Sequence, residues 1–323
     1  MTIWGLFLLC CGLLLFLLGM KALSAPLKSM EHTRLLSRLS AADRQPIRGV
    51  CCGAAATALL QSSSALTVFL VGLTGAGALS LEAAAVLLMG ANVGTTLSPW
   101  VLGLLGLSHH QSILRPEFLC PLLALLSLGT YAAGKGRLLS RGLMGLSLLL
   151  FGMDLMQRAA GFLPQLAHLA SVSAHPLRGI LTGTVATGIL QSSAGAIGLL
   201  QALCVSGTWQ LIEVIPLLIG LNLGTCVTAL LASLGAGTDA RRVAVIHISF
   251  NALGGLLWLA ILGICARSPI LCQLASPVSV ALFHSLFNLS TAALLLPLRK
   301  YLVQLSILLV PSHPPLLRSH GQR

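Results

Sequence analysis

The tripeptide Gln-Ser-Ser occurs twice, as Gln61-Ser62-Ser63 and Gln191-Ser192-Ser193, 130 positions apart. The same offset matches Gly49 to Gly179, Gly53 to Gly183, Thr57 to Thr187, Asn92 to Asn222 and Gly94-Thr95 to Gly224-Thr225. Residues 49–96 align with 179–226 without a gap, and 18 of the 48 pairs are identical. Composition alone supplies some Leu and Gly pairs, but not the polar ones. The chain around them is 56% hydrophobic and 8% charged, where soluble domains carry about 25% charged residues. A mean hydropathy of +0.94 agrees that this is an all-α polytopic membrane protein. Polar groups in lipid are costly unless paired or facing a cavity. The duplication therefore points to a paired polar site inside the membrane.

The net charge of +12 would suit a nucleic-acid binder if it formed a stripe. Here the basic residues are scattered between apolar runs, so no nucleic-acid partner is expected and the charge is assigned to membrane orientation. The nine cysteines contain no Cys-x-x-Cys, and most lie in apolar segments. They read as small hydrophobes rather than a metal or disulfide framework. The first apolar run lacks a positive start, its first charge being Lys21, and reads as a retained span rather than a signal peptide.

A span needs roughly 20 residues. Seven crossings are expected, at 2–22, 81–107, 118–134, 140–156, 210–236, 243–265 and 277–297. The segments 49–78 and 179–208 are each interrupted by a Gln-Ser-Ser cluster and are read as re-entrant helical hairpins with the cluster at the tip. The crossings at 81–107 and 210–236 are loosened at Gly90–Thr95 and Gly220–Thr225 and are read as broken helices. With the N-terminus outside, 15 of the 19 Lys and Arg fall on the inner side, as the positive-inside rule asks. The C-terminus is then inside. Three crossings separate the starts of the two repeats, so they have opposite orientation. The chain divides into a first inverted repeat (1–137), a second repeat with a final span (138–298) and a cytoplasmic tail (299–323). Inverted repeats with discontinuous helices are the sequence mark of a secondary transporter.

The clusters contain no ionised side chain. They offer the hydroxyls of Ser62, Ser63, Ser64, Ser192 and Ser193 and the amides of Gln61 and Gln191. The broken helices add Asn92, Thr95, Thr96, Asn222 and Thr225, and Thr57 and Thr187 precede the clusters. A helix that restarts after a break presents free N–H groups to an anion. A helix that stops presents carbonyls to a small cation. Hydroxyls serve both. We expect Gln61, Ser62, Ser63, Ser64, Gln191, Ser192 and Ser193 to hold an oxyanion. Sodium is expected at Thr57, Asn92, Thr95, Thr96, Thr187, Asn222 and Thr225. For a single Ser-Ser pair, close packing of helices would be the simpler reading. Two clusters, each about 30 residues before a Gly-x-Asn-x-Gly-Thr break, are less simply explained by packing.

These motifs resemble the type II sodium-dependent phosphate cotransporters in their bacterial form. The resemblance rests on Thr57-Ala-Leu-Leu-Gln-Ser-Ser-Ser-Ala65, Gly90-Ala-Asn-Val-Gly-Thr-Thr96, Gly188-Ile-Leu-Gln-Ser-Ser193 and Gly220-Leu-Asn-Leu-Gly-Thr225. It is extended by Ala229-Leu-Leu-Ala-Ser-Leu-Gly235, Arg241-Arg242 and His247-Ile-Ser-Phe-Asn251. It covers about 5–298. It implies alternating-access transport of inorganic phosphate coupled to Na⁺ in the bacterial inner membrane, with both serine clusters on the substrate and no cofactor beyond the coupling ion. A homo-oligomer is compatible with it. The cytosolic regulatory domain found in some members is not expected, since only a short basic tail follows. Two positions depart from the pattern: Ala194 replaces a third serine, and Cys226 stands where the first repeat has Thr96. Each removes a hydroxyl, which leaves ion stoichiometry open.

His247 and His284 each precede an Asn by four positions, Asn251 and Asn288. That spacing puts His and Asn on one helix face, for bonding helices together or, less simply, for gating. Glu82 and Glu213 open the broken helices, where acids suit the dipole. Asp154 is read as an interfacial charge, and 26–48 as a basic amphipathic surface helix. No nucleophile–base pair or metal-ligand spacing is present, so an enzyme is not expected. The alternatives are a carrier of another oxyanion, sulfate or a dicarboxylate, and a non-transporting sensor on the same scaffold. The lack of an Arg in the site weighs against carboxylates.

Overall fold

The computed structural model describes residues 3–24, 42–60, 62–106, 116–134, 136–162, 175–205, 209–234, 236–265 and 267–311. Fourteen helices lie among them. The first half holds α1 (Ile3–Ser24), α2 (Pro46–Leu60), α3 (Ser63–Gly75), α4 (Leu81–Gly94), α5 (Leu97–Gly106) and α6 (Pro116–Ala132). The second holds α7 (Arg137–Phe162), α8 (Pro176–Leu190), α9 (Ser193–Cys204), α10 (Leu211–Gly224), α11 (Cys226–Ser233) and α12 (Thr238–Cys265). α13 (Pro277–Leu295) and α14 (Arg299–Leu309) follow. The basic segment expected as a surface helix lies mostly outside the described residues. Its last three residues instead begin α2.

Helix boundaries repeat with the sequence. α2 and α8 start and end 130 positions apart, and so do α4 and α10. The chain breaks at Ser62 and at Gln191–Ser192, between helix pairs that pack on each other. The broken helices part at Thr95–Thr96 and at Thr225. That is the C-terminal edge of the stretches expected to loosen, because Gly90 and Gly220 are kept helical by packing.

Those glycines mark close backbone approaches between helices. A methyl group at Gly53 would overlap Leu87 O, and one at Gly183 would overlap Leu217 O. Gly90 meets Val50 O, and Gly220 meets Ile180 O, in the same way. Each contact in the α2–α4 pair thus recurs in α8–α10 at a shift of 130. Small residues let helix backbones approach in lipid, where packing replaces the hydrophobic drive. α1 and α7 pack by the same device, with Gly19 against the backbone of Gly145 and Leu149.

Four helix starts carry a serine cap. Ser62, Ser80, Ser192 and Ser276 accept from the third backbone N–H of α3, α4, α9 and α13. Gln210 N donates to Glu213 Oε2 at 2.8 Å, so Glu213 serves as the cap expected of it, and Glu82 sits in the first turn of α4. Of four apolar clusters among the described residues, the two largest form around α9, α10, α12 and α13, and around α3, α4 and α12. α12 belongs to both. α14 opens the segment expected to be a tail, yet it packs on α12 and α4 with Ser306 fully buried.

Among the described residues, four apolar helical stretches are long enough to cross a membrane: Leu81–Leu104, Leu211–Ser233, Thr238–Cys265 and Pro277–Leu295. The outer face of α6 exposes Phe118, Leu122, Leu125 and Leu128, a surface suited to lipid and not to water. The chain is an all-α polytopic membrane protein.

Candidate functional site

The serines of the two segments, Ser62-Ser63 and Ser192-Ser193, fold alike. α8 ends with Gln191 in the left-handed region (φ 52°), its N–H bonded to Thr187 O at 2.8 Å. A side chain in this region stores backbone strain, a cost of about 1 kcal/mol or more. Ser192 is then extended (φ −144°), and its Oγ accepts from Gly195 N at 3.1 Å. Ser62 has the matching conformation (φ −158°), and its Oγ accepts from Ala65 N at 3.2 Å. Each cap uses one N–H of the new helix. The N–H groups of Ser63 and Ser64, and of Ser193 and Ala194, belong to the turn that has no intrahelical acceptor. Gln61 lies outside the described residues.

A narrow cleft of about 10 Å³, room for about one water, brings the halves together, lined by Thr57, Ser62, Ser63, Gly94, Thr95, Ser98, Ser193 and Ala194. It joins the first hairpin, the first broken helix and the start of α9. Among these residues no side chain is ionisable, so polarity comes from hydroxyls and helix N-termini.

Five of the expected residues meet at this cavity: Thr57, Ser62, Ser63, Thr95 and Ser193. Ser64, Gln191, Ser192, Asn92, Thr96, Thr187, Asn222 and Thr225 do not line it. Ser98 was not anticipated. It lies one helical turn before Leu102, in a run of otherwise apolar residues, and that lone hydroxyl was the available signal.

At both breaks, threonines donate back into the helix that ends there. Thr95 Oγ1 bonds Asn92 O, and Thr225 Oγ1 bonds Asn222 O, each at 2.6 Å. Thr96 Oγ1 bonds Val93 O at 2.8 Å. Having donated, these oxygens keep lone pairs for a cation. Thr57 and Thr187 differ. Both are buried, and both hydroxyls lack any partner. An unpaired buried polar group costs about 1–3 kcal/mol. Its recurrence at equivalent positions 130 apart marks two places where an oxygen ligand is left free. That donor set, neutral oxygens without thiolate or imidazole, fits a hard alkali cation.

Other buried polar residues tie the halves together. Asn92 Nδ2 donates to Asn251 Oδ1 at 3.0 Å. Gln201 Nε2 donates to Pro99 O at 2.8 Å and to Pro277 O at 2.7 Å, joining α9 to α5 and α13. Sequence reasoning missed Gln201, a single amide in an apolar run, opposite Val71 in the first repeat. Asp154, expected at an interface, is only 9% exposed and pairs with Arg158 at 2.7 Å.

Fold and site together define a multi-pass membrane protein with a neutral, hydroxyl-lined cleft where the starts of α3 and α9 meet the first broken helix. The model of the Na⁺/Pi-cotransporter family matches residues 15–158 and 165–269, and the chain belongs to that family. "Uncharacterized protein YqeW" of Bacillus subtilis (strain 168) is 32% identical over 317 residues, covering 93% of this chain and 96% of the relative. "Putative inorganic phosphate export protein YjbB" of Escherichia coli (strain K12) is 30% identical over 268 residues, 82% of this chain. The match spans only 48% of YjbB, about half of its length. The human "Sodium-dependent phosphate transport protein 2C" is 42% identical over 83 residues, 24% of this chain and 14% of the relative. No solved structure matches.

Proposed function

We propose that the protein is a secondary active transporter that moves inorganic phosphate coupled to sodium by alternating access. The observation that carries this reading is the meeting of two helix N-termini at one cleft. There the N-terminus of α3, with Ser62 and Ser63, faces Ser193 at the N-terminus of α9. Helix N-termini hold phosphate through N–H groups and dipole, and both ends of the cavity supply them.

The hairpins are read as re-entrant and opposed, in repeats of residues 1–137 and 138–298. Gln61 and Gln191 complete the phosphate site with the tip serines. Thr57 and Thr187 ligate sodium, helped by Asn92, Thr95, Thr96, Asn222 and Thr225. The coupling has a simple physical source. A bare phosphate dianion in a site without cationic side chains is expensive. Two opposite unit charges about 4 Å apart attract by about 4 kcal/mol at an effective dielectric of 20, worth nearly a thousandfold in affinity. Each ion therefore binds well only with the other. The relatives' names speak of export in one case and sodium dependence in another. A coupled carrier is reversible, and the gradients set its direction.

The test is flux of labelled phosphate in proteoliposomes with an imposed sodium gradient in either direction. Gradient-dependent movement is expected both ways, inhibited by excess phosphate and not by sulfate. Absence of any sodium-driven flux, with the protein shown to be folded, would sink the proposal.

A further inference from the structure

Both broken helices are bound to one side chain that neither repeat contributes by its shared motif. Asn251, in the middle of α12, is fully buried. Its Oδ1 accepts from Asn92 Nδ2 at 3.0 Å, in the last turn of α4. Its Nδ2 donates to Cys226 Sγ at 3.4 Å, the first residue of α11, and to His247 O at 3.1 Å. Asn92 and Cys226 are themselves about 95% buried. Both donors of the amide and one of its two acceptor positions are in use, which fixes its orientation. Flipping it would set an oxygen against His247 O and a donor against Asn92 Nδ2.

Asn288 supplies the contrast. It is equally buried, on α13, and makes the same bond to the carbonyl four residues back, His284 O at 2.9 Å. Its Oδ1 has no partner. The local bond is therefore common to both asparagines, and the reach to two breaks belongs to Asn251.

The bridge also explains Cys226. In the first repeat, Thr96 turns its hydroxyl back to Val93 O at 2.8 Å. Cys226 Sγ keeps only a long bond back, 4.0 Å to Asn222 O, and also donates to His247 O at 3.5 Å and takes the second donor of Asn251. The substitution that reads in sequence as a lost hydroxyl is a larger, softer atom placed between two helices.

We propose that Asn251 is a positioning residue that holds the two break points in register, through Asn92 on one side and Cys226 on the other. Sodium binding at the two breaks then becomes one cooperative event. Asn92 O carries the hydroxyl of Thr95, which lines the cavity, and Cys226 follows Thr225, whose hydroxyl is held by Asn222 O. A shift of either break is thus felt at the other through a single amide. This inference rests on the sodium-coupled reading of the site.

The experiment compares wild type with Asn251→Ala, Cys226→Ala and Cys226→Ser in proteoliposomes, following phosphate flux against sodium concentration. Thermal unfolding in detergent is recorded alongside. Cutting the bridge, by one buried hydrogen bond or more, should raise the half-maximal sodium concentration at least about two- to tenfold and flatten the curve, leaving flux at saturating sodium intact. Cys226→Ser, which keeps an acceptor, should restore the wild-type curve. Asn92→Ala combined with Asn251→Ala should shift the sodium curve no further than Asn92→Ala alone, since losing Asn92 already cuts the link between the two breaks. An unchanged sodium curve in Asn251→Ala and Cys226→Ala overturns the proposal. So does a parallel fall in maximal flux and stability with sodium dependence untouched, the mark of a purely structural bond. A wild type without sodium-driven flux strikes the functional reading instead. The bridge is then judged by alkylation of Cys226, mapped by mass spectrometry. Asn251→Ala must speed it, and an equal rate refutes the bridge.

Discussion

Gly94 and Gly224 are the points where each broken helix presses on its hairpin, and alanine there tests the site through geometry alone. A methyl at Gly224 would sit 2.6 Å from Thr184 O and 2.7 Å from Thr187 Cβ. At Gly94 it would lie 2.9 Å from Ala54 Cα and from Thr57 Cβ, and closer still to Ala54 O. Ordinary contact begins at 3.4 Å, so Gly224→Ala requires about 0.8 Å of movement from backbone and from a β-branched Cβ. Overpacking of this kind costs about 1–3 kcal/mol. The better helix propensity of alanine returns about 1 kcal/mol. The net loss of stability is therefore modest, a few degrees in melting temperature. The functional loss should be larger, because binding groups need placement within about 0.5 Å. Both variants should raise the half-maximal sodium concentration for phosphate flux at least about tenfold, equivalent to 1.4 kcal/mol. Gly72→Ala, Gly129→Ala and Gly142→Ala are the controls, since a methyl at each meets nothing within 4 Å. They should melt at or above wild type and transport normally. If Gly94→Ala and Gly224→Ala transport like these controls, the packing of glycine on Thr57 and Thr187 does not set the ion site.

Thr57→Val and Thr187→Val remove hydroxyls that have no partner, so each should keep or raise the melting temperature, by relief of about 1–3 kcal/mol, while abolishing stabilisation by sodium. Melting scans with sodium against a large organic cation decide it, and a destabilised variant that still responds to sodium would refute it. Ser62→Ala and Ser192→Ala should each cost about 1 kcal/mol as lost helix caps, yet Ser62→Ala should weaken phosphate binding more, since only Ser62 lines the cavity. Phosphate KM measured beside melting separates the two effects. Gln201→Leu strands Pro99 O and Pro277 O at about 1–3 kcal/mol each, and a melting temperature at or above wild type would contradict that role.

The helical scaffold was legible because its signals are local. Gln-Ser-Ser interrupts two apolar runs, and Ser62 and Ser192 prove to be the caps at which α3 and α9 restart. The Gly-x-Asn-x-Gly-Thr segments marked the broken helices, although packing of Gly90 and Gly220 moved each break to its threonine end. What sequence could not show is how residues meet across helices. Gln201 binds two backbone carbonyls, which no side-chain pattern announces. Cys226 looked like a deletion because its partner, Asn251, lies 25 positions away on another helix. Asp154 gained burial from packing and compensation from Arg158, a partner one turn on that sequence alone left unassigned.

The cavity is unequal, and under the proposed inverted repeats that inequality carries a prediction. Thr57, Ser62, Ser63, Gly94, Thr95 and Ser98 come from the first half, and only Ser193 and Ala194 from the second. A carrier built from inverted repeats reaches its opposite state by exchanging the conformations of the halves. Shifting each lining residue by 130 then gives the lining of that other state: Thr187, Ser192, Ser193, Gly224, Thr225 and Thr228, with Ser63 and Ser64. Ser64 and Ser192, which stand away from the cavity here, would enter it, while Thr57 and Ser62 would leave. All but Gly224 carry a hydroxyl, so the second state is as able to hold an oxyanion as the first. Ala194 faces the cavity in one state only, and its missing hydroxyl weakens that state selectively. Ser62→Cys and Ser192→Cys, labelled with a polar thiol reagent and mapped by mass spectrometry, report the exchange. Conditions that expose one should protect the other, and adding sodium with phosphate should shift the balance. Labelling that rises and falls together at both positions would show that the halves do not trade places.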